Sequence, residues 1–157
     1  MTNASLDRPI PDFTVDSTDG KLSAADLRGQ PTALYFYPKD NTPGCTQEGE
    51  EFRDLHSEFA KLGVHLFGIS RDSLASHEAF RAKHALPFHL ISDSDELLCR
   101  LFDVIREKNL YGKKVLGIER STFLVDADGV LRREWRKVKA AGHAAEVLTA
   151  ARELQLP

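Results

Sequence analysis

Cys45 and the short segment before it are the part of this sequence with the clearest chemical potential. Thr42-Pro43 has the form of a helix N-cap followed by proline at the first helical position. Cys45 would then be the third helical residue, beside backbone N–H groups that have no partner within the helix. The positive end of the helix dipole favours an anion there. The segment therefore predicts a cysteine that can act as a nucleophilic thiolate.

Position alone leaves a second interpretation of Cys45 open. A small apolar cysteine can simply pack at the corner between a strand and a helix. Glu48, Glu50 and Glu51 suit the start of a helix, but their negative charges disfavour a nearby thiolate. A reactive Cys45 therefore requires a cation from elsewhere in the chain, and the spacing of the residues does not identify that cation.

Cys99 is the second of the two cysteines, which are too few for a disulfide scaffold. It lies next to Leu98, at the edge of an apolar stripe on a predicted short helix. At such an edge it need not be deeply buried. Packing on a core helix is the simpler role for it. The members of the stripe are Leu98, Leu101, Phe102 and Ile105.

Other cysteine and histidine chemistries have less support. A thioredoxin-like reductase needs a Cys-x-x-Cys pair, and Cys45-Thr-Gln-Glu48 is not one. A cysteine hydrolase needs a histidine base, and no local pattern selects one of the histidines. They also form no metal-binding motif, so no metal ligand is predicted, and the pair two helical turns apart is expected on a solvated face. That pair is His77 and His84; the other histidines are His56, His65, His89 and His143.

Composition and charge restrict the classes of partner. The 157 residues are 41% hydrophobic and 29% charged, as in ordinary globular domains, and the net charge is -3. No basic cluster predicts a nucleic-acid partner. The longest apolar runs, such as residues 32–37, are too short to span a bilayer, and residues 1–7 lack the apolar core of a secretory signal. We expect one domain over residues 1–157, a cytoplasmic location and no membrane partner.

The elements that must position these residues alternate between strands and helices. Nearly continuous apolar runs at residues 32–37 and 64–70 predict buried strands. Between them, Phe52, Leu55 and Phe59 recur at helical spacing after Thr42. The alternation predicts an α/β fold with a central mixed β-sheet flanked by helices. The other predicted elements are an edge strand at 12–15, a helical turn within 22–29, a helix at 73–85, strands at 88–91, 121–125 and 130–138, a loop at 106–117 and a closing helix to residue 154.

Two sequence blocks resemble a known family. Pro38-x-x-x-Thr42-x-x-Cys45 resembles the Pro-x-x-x-Thr-x-x-Cys signature of peroxiredoxins, and FYPKDNTPGCTQEGEEFRD is similar to their bacterioferritin comigratory protein, or Q-type, subfamily. GIERSTFLVDADG at residues 117–129 resembles the same subfamily, so the likeness covers nearly the whole chain. It implies a thioredoxin-like fold and a thiol-dependent peroxidase for hydrogen peroxide and organic hydroperoxides, with no cofactor.

The resemblance also implies a role for each matching residue. Cys45 would attack the peroxide, the Thr42 hydroxyl would hydrogen-bond to it, and Pro38 would shield the sulfur from water. Arg120 would supply the missing cation and stabilise the departing oxygen. The product on Cys45 would be a sulfenic acid. Without the resemblance, Arg120 beside Glu119 would be interpreted as an exposed strand arginine.

The sequence departs from the subfamily where the sulfenic acid is resolved. Glu50 and Arg81 occupy the two positions at which Q-type members carry a resolving cysteine. We therefore expect a one-cysteine peroxidase whose Cys45 is reduced by an external thiol, which is thioredoxin, glutaredoxin or a small thiol. The resemblance to the Q-type subfamily also implies a monomer. Two alternatives stay open: a Cys45–Cys99 disulfide, and a redox sensor that passes oxidation from Cys45 to a partner.

Overall fold

A computed structural model describes residues 3–154 of the chain. Within these residues, strands and helices alternate and then give way to two hairpins and a closing helix. The strands are β1 (Thr14–Ser17), β2 (Gly20–Ser23), β3 (Thr32–Phe36), β4 (His65–Ser70), β5 (His89–Ser92), β6 (Ile105–Leu110), β7 (Lys113–Ile118), β8 (Ser121–Val125) and β9 (Leu131–Trp135). The helices are α1 (Pro43–Asp54), α2 (His56–Lys61), α3 (Leu74–His84), α4 (Leu97–Leu101) and α5 (His143–Leu154), with a 3-10 turn at Ala24–Leu27.

A mixed sheet of seven strands, in the order β2-β1-β5-β4-β3-β8-β9, lies at the centre of the described residues. Side chains along β3 alternate between its two faces, as the period of a strand requires. Leu34 and Phe36 pack on one face, under the 3-10 turn and α4, while Ala33 and Tyr35 pack on the other, under α1, α2, α3 and α5. The prediction of a central mixed sheet flanked by helices is confirmed.

The pairing of the strands brings several loops to one edge of this sheet. β3, β4 and β5 run parallel, so the segments that follow them leave the sheet at the same edge. β8 runs antiparallel to β3, with Ser121 paired with Phe36, so the start of β8 reaches that edge too. Residues 37–42, residues 71–73 and Arg120 therefore meet near the N-terminus of α1.

Three features differ from the sequence predictions. The expected loop at residues 106–117 is a hairpin of β6 and β7, paired only with each other in the described chain, which lets its strands stay polar. Ile105 begins β6 instead of extending the helix that contains Leu98, because α4 ends at Leu101 and Asp103 has a φ of 54°. The helix after Thr42 is two helices, interrupted at Leu55 (φ −100°, ψ 2°).

None of the helices within residues 3–154 has both the length and the apolar character needed to cross a membrane.

Candidate active site

Cys45 lies in the first turn of α1, as the sequence predicts. Thr42 has the extended backbone of an N-cap (φ −86°, ψ 151°), Pro43 is the first helical residue and Cys45 the third. Cys45 is only 1% exposed. The Thr42 hydroxyl does not cap the helix; it donates to the carbonyl oxygen of Lys39 at 2.9 Å. Pro38 is half-buried in the same loop, directly after the last core residue of that segment, Tyr37.

Arg120 is the cation beside Cys45. Its Nη2 donates to the Cys45 Sγ at 3.3 Å, although 75 residues separate the two in sequence. The Arg120 side chain is 15% exposed, so its interpretation as an exposed strand arginine is wrong. Gly44 makes room for this contact, because a Cβ on Gly44 would lie 3.1 Å from Nη2. The structure thus brings Arg120 to the helix turn that contains Cys45 and begins at Thr42.

Glu48 completes this arrangement, a role that sequence analysis missed. Its Oε1 accepts from Arg120 Nη1 at 2.5 Å, while its Oε2 has no hydrogen-bond partner among the described residues. Burial raises the pKa of Glu48 to about 7, although Arg120 opposes the shift. The available signal was spacing, because a residue three positions after Cys45 on a helix shares its face. Sequence analysis counted only the negative charge of Glu48.

A second cation, Lys108 of β6, lies at the edge of the site. Its Nζ donates to the carbonyl oxygen of Ile118, two residues before Arg120. Burial lowers the pKa of the Lys108 ammonium, the positive charge of Arg120 lowers it further, and Cys45 opposes the shift. The β6–β7 hairpin thus adds positive charge to the surroundings of Cys45.

The histidines do not supply a base for Cys45. In the part of the chain that the structure describes, none of them hydrogen-bonds to its sulfur, so the hydrolase interpretation gains no support. His143 Nε2 lies 2.7 Å from the Thr122 hydroxyl; burial, with Arg120, lowers the pKa of His143 to about 4. His77 is fully buried, so its expected place on a solvated helix face is wrong.

One group of residues near the site has the side-chain types of a metal centre. Ligand-type atoms of Asp40, Asp72 and His77 lie within 4.8 Å of one another. Protein donors already occupy them: Asp40 accepts from His77, and Asp72 accepts from the Asp40 backbone N–H and from Ser70. We interpret the group as a hydrogen-bonded network.

Cys99 is separated from this arrangement by the central sheet. It is fully buried, which corrects the expectation that it need not be, and it packs in the core on the sheet face opposite to Cys45. Its backbone N–H donates to the buried carboxylate of Asp93 at 2.8 Å. Burial raises the pKa of the Cys99 thiol, and the charge of Asp93 raises it further. Both cysteines are free thiols.

The raised pKa of Glu48 predicts a pH-dependent stability. A carboxyl whose pKa rises from 4.5 unfolded to about 7 folded stabilises the fold below pH 4.5, and loses that contribution as the pH approaches 7. Glu48→Gln stays neutral and lacks this dependence. Between pH 5 and pH 8, its free energy of unfolding should therefore rise relative to wild type by roughly 2 to 3 kcal/mol, measured by urea denaturation.

Glu107→Gln is the control for this prediction, because the Glu107 side chain is 58% exposed and lies beside Lys114. The difference in free energy of unfolding between this variant and wild type should be nearly the same at both pH values. A constant difference for Glu48→Gln as well would mean that Glu48 titrates outside this range, and the prediction would be wrong.

Known proteins are similar to this chain over most of its length. The AhpC/TSA family matches residues 6–134. Peroxiredoxin Bcp of Xanthomonas campestris pv. campestris is 52% identical over 153 residues, 96% of each chain. Peroxiredoxin Bcp of Bacillus subtilis is 46% identical over 150 residues, 95% of this chain and 96% of the relative.

A solved structure is also similar over almost the full length. The bacterioferritin comigratory protein of Xanthomonas campestris, whose structures with a trapped intermediate and ligand concern alkyl peroxide reduction, superposes with a TM-score of 0.89. It is 49% identical and the match covers 97% of this chain and 99% of that one. The thioredoxin-like fold expected from the resemblance is confirmed. The chain therefore belongs to the AhpC/TSA family, as a thiol peroxidase of the peroxiredoxin Bcp type.

Proposed function

We propose that Cys45 is the nucleophile of this peroxidase. The observation that supports this most directly is the contact of Arg120 Nη2 with the Cys45 Sγ at 3.3 Å, in the first turn of α1. The thiolate attacks one oxygen of a hydroperoxide, the O–O bond breaks, and the departing oxygen takes a proton to leave as water or an alcohol. Sulfur is oxidised to a sulfenic acid while the peroxide is reduced by two electrons.

Four further residues take part in this proposal. Arg120 stabilises both the thiolate and the negative charge that develops on the departing oxygen. The hydroxyl of Thr42, the N-cap residue of α1, leaves the carbonyl oxygen of Lys39 to hydrogen-bond to the bound peroxide. Pro38, half-buried in the same loop and without a backbone N–H, shields the sulfur from water. Because the carboxylate of Glu48 holds the other guanidinium nitrogen of Arg120, it fixes the direction of the donor.

We further propose that an external thiol reduces the sulfenic acid. Glu50 and Arg81 occupy the positions at which a resolving cysteine was expected. Cys99 is separated from Cys45 by the central sheet, and a disulfide requires Cα atoms within about 7 Å. Sulfenic acid on Cys45 therefore awaits a thiol from another molecule, which is thioredoxin, glutaredoxin or a small thiol.

The cellular setting belongs to the same proposal. Two free thiols suit a reducing compartment, so we expect a cytoplasmic protein. We expect it to act as a monomer of one domain, on hydrogen peroxide and organic hydroperoxides, with no nucleic-acid partner.

Mapping the oxidised cysteine tests the proposal directly. Reduced protein receives one equivalent of hydrogen peroxide in the presence of a sulfenic-acid trap, and peptide mass spectrometry locates the adduct. An adduct on Cys45 is the expected result, and loss of two hydrogens with a Cys45–Cys99 link would replace the one-cysteine mechanism. An unmodified Cys45 with persisting peroxide would overturn the proposal. A single turnover despite excess thiol would indicate the sensor alternative.

Cys99→Ser separates the two mechanisms of resolution. We expect the variant to keep full steady-state turnover with a small thiol, since Cys99 lies on the other face of the sheet. The measurement is peroxide consumption against that of wild type at equal concentrations of folded protein. A fall of tenfold or more, without a change in the first oxidation of Cys45, would assign the resolving role to Cys99.

A further inference from the structure

Asp40 is a buried carboxylate inside the loop that joins β3 to α1. It lies between Pro38 and Thr42 and is only 4% exposed. Buried carboxylates require donors. Its oxygens accept from the Tyr37 hydroxyl at 2.6 Å and the Ser76 hydroxyl at 2.8 Å, and His77 Nδ1 lies at 2.8 Å.

The contacts of His77 determine where its protons lie. Nε2 lies 2.9 Å from the carbonyl oxygen of Ile91, which can only accept, so Nε2 carries a proton. Nδ1 faces the Asp40 Oδ2, and a hydrogen bond between them also needs a proton. His77 thus bridges Asp40 in the loop and the backbone of Ile91 in β5.

The form of the pair follows from the donors around Asp40. Burial raises the pKa of the Asp40 carboxyl, but hydrogen bonds from His77 and Tyr37 outweigh it, and the net pKa lies below the ordinary value. The donors around Asp40 therefore hold it as a carboxylate, with the Nδ1 side of His77 as one of its contacts. Tyr37 and Asp72 are further ionisable groups in contact with Asp40: the Tyr37 hydroxyl donates to its carboxylate, and Asp72 accepts from its backbone N–H at 2.9 Å.

These contacts tie the loop to its neighbours in the fold. Ser76 and His77 belong to α3, and Ile91 to β5. Within the loop, Asn41 has a φ of 65°, a left-handed conformation that asparagine adopts more readily than most residues and that reverses the chain here. Asp40, the residue before Asn41, anchors this turn through its side-chain contacts. The same loop then places Thr42 at the N-cap of α1 and so sets the position of Cys45.

We propose that Asp40 and His77 are positioning residues of the peroxidase: the buried pair holds residues 38–42 in the conformation that presents Pro38 and Thr42 to a peroxide at Cys45. Neither residue touches the peroxide, and both act through the loop. The inference rests on the proposed role of Cys45.

Two substitutions of His77 separate its two hydrogen bonds. Gln places an amide nitrogen near the position of Nε2 and keeps the bond to Ile91, whereas Asn places one near Nδ1 and keeps the bond to Asp40. We expect His77→Gln to lower the second-order rate constant for oxidation of Cys45 by hydrogen peroxide about tenfold or more. His77→Asn should restore most of that loss. The rate is measured by stopped-flow fluorescence of the single tryptophan, Trp135.

The rate of alkylation of Cys45 by iodoacetamide is a second readout, which distinguishes a positioning role from a general loss of structure. It reports the nucleophilic thiolate without needing Thr42 or Pro38, so His77→Gln should not lower the alkylation rate. Phe80→Leu is the control for general loosening of α3, because Phe80 lies on the same helix as His77 and is buried in the core that also contains Cys45. It should lower the free energy of unfolding while leaving the peroxide rate within about twofold.

The outcomes distinguish the inference from the proposed function. If wild-type Cys45 is not oxidised by peroxide, the proposed function fails. If wild type reacts and His77→Gln reacts equally fast, or Phe80→Leu slows the reaction as much as His77→Gln does, the positioning role is wrong. Should His77→Gln not fold, Asp40→Asn makes the same test with the same expected loss.

Discussion

Cys45→Ser is expected to abolish peroxide consumption, with a fall in rate of about 10³-fold or more. A serine hydroxyl is not ionised at neutral pH and forms no stable sulfenic-acid equivalent, so neither the attack nor the later reduction can proceed. The substitution changes one atom in the first turn of α1, and the fold should be kept. Peroxide loss with excess small thiol, followed by a colorimetric assay, measures the effect.

Cys99→Ser is the matched control, since it also removes one thiol from a buried helix position. It should consume peroxide at the wild-type rate. If Cys45→Ser retained turnover and Cys99→Ser lost it, the assignment of the nucleophile would be reversed. Equal circular dichroism spectra and unfolding midpoints for the two variants would exclude loss of folding as the cause.

Arg120→Met should give the second largest loss, about 10²- to 10³-fold in the rate constant for oxidation of Cys45 by peroxide. The variant removes the donor at 3.3 Å from the sulfur and leaves the buried carboxylate of Glu48 without its cation. Arg120→Lys keeps the charge but cannot donate to Cys45 and Glu48 with the planar geometry of a guanidinium. We expect it to recover only part of the loss.

Arg136→Met provides the comparison for this prediction. Arg136 is a half-buried arginine near β8, and its guanidinium lies over the ring of Phe123 on the other face of the sheet. It should lower stability and leave the oxidation rate of Cys45 nearly unchanged. A rate in Arg120→Met that equals the rate of wild type would show that the contact with Cys45 has no part in peroxide reduction.

Local patterns predicted most of the fold, and failed where pairing decides the structure. The buried strands β3 and β4 and the start of α1 follow from apolar runs and from the Thr42-Pro43 cap. The β6–β7 hairpin was missed because, within residues 3–154, its strands are largely solvated and pair only with each other, so no apolar alternation marks them. Its turn, Tyr111-Gly112, has positive φ at both residues, and glycine at the second was the available signal.

The candidate site shows the same division between local and long-range information. The spacing of residues 38–45 predicted Cys45 in a helical first turn, but only the family resemblance indicated Arg120. Its approach to Cys45 depends on the register between β3 and β8, which sequence spacing does not contain. The contact of Asp40 with His77 depends in the same way on the parallel pairing of β3, β4 and β5. Contacts between buried polar or charged side chains that are distant in sequence are therefore the part of the site that the sequence alone did not predict.

Because the two thiols lie on opposite faces of the sheet, their alkylation rates report on two different openings of the native state. Alkylation of Cys45 requires only that the first turn of α1 becomes accessible, whereas alkylation of Cys99 requires its core and its Asp93 contact to open. The ratio of the two labelling rates under native conditions therefore compares a local fluctuation with a much larger one, in the same molecule and the same sample. An alcohol, which is the product of organic hydroperoxide reduction and does not oxidise sulfur, should on binding beside Cys45 change the first rate and leave the second unchanged.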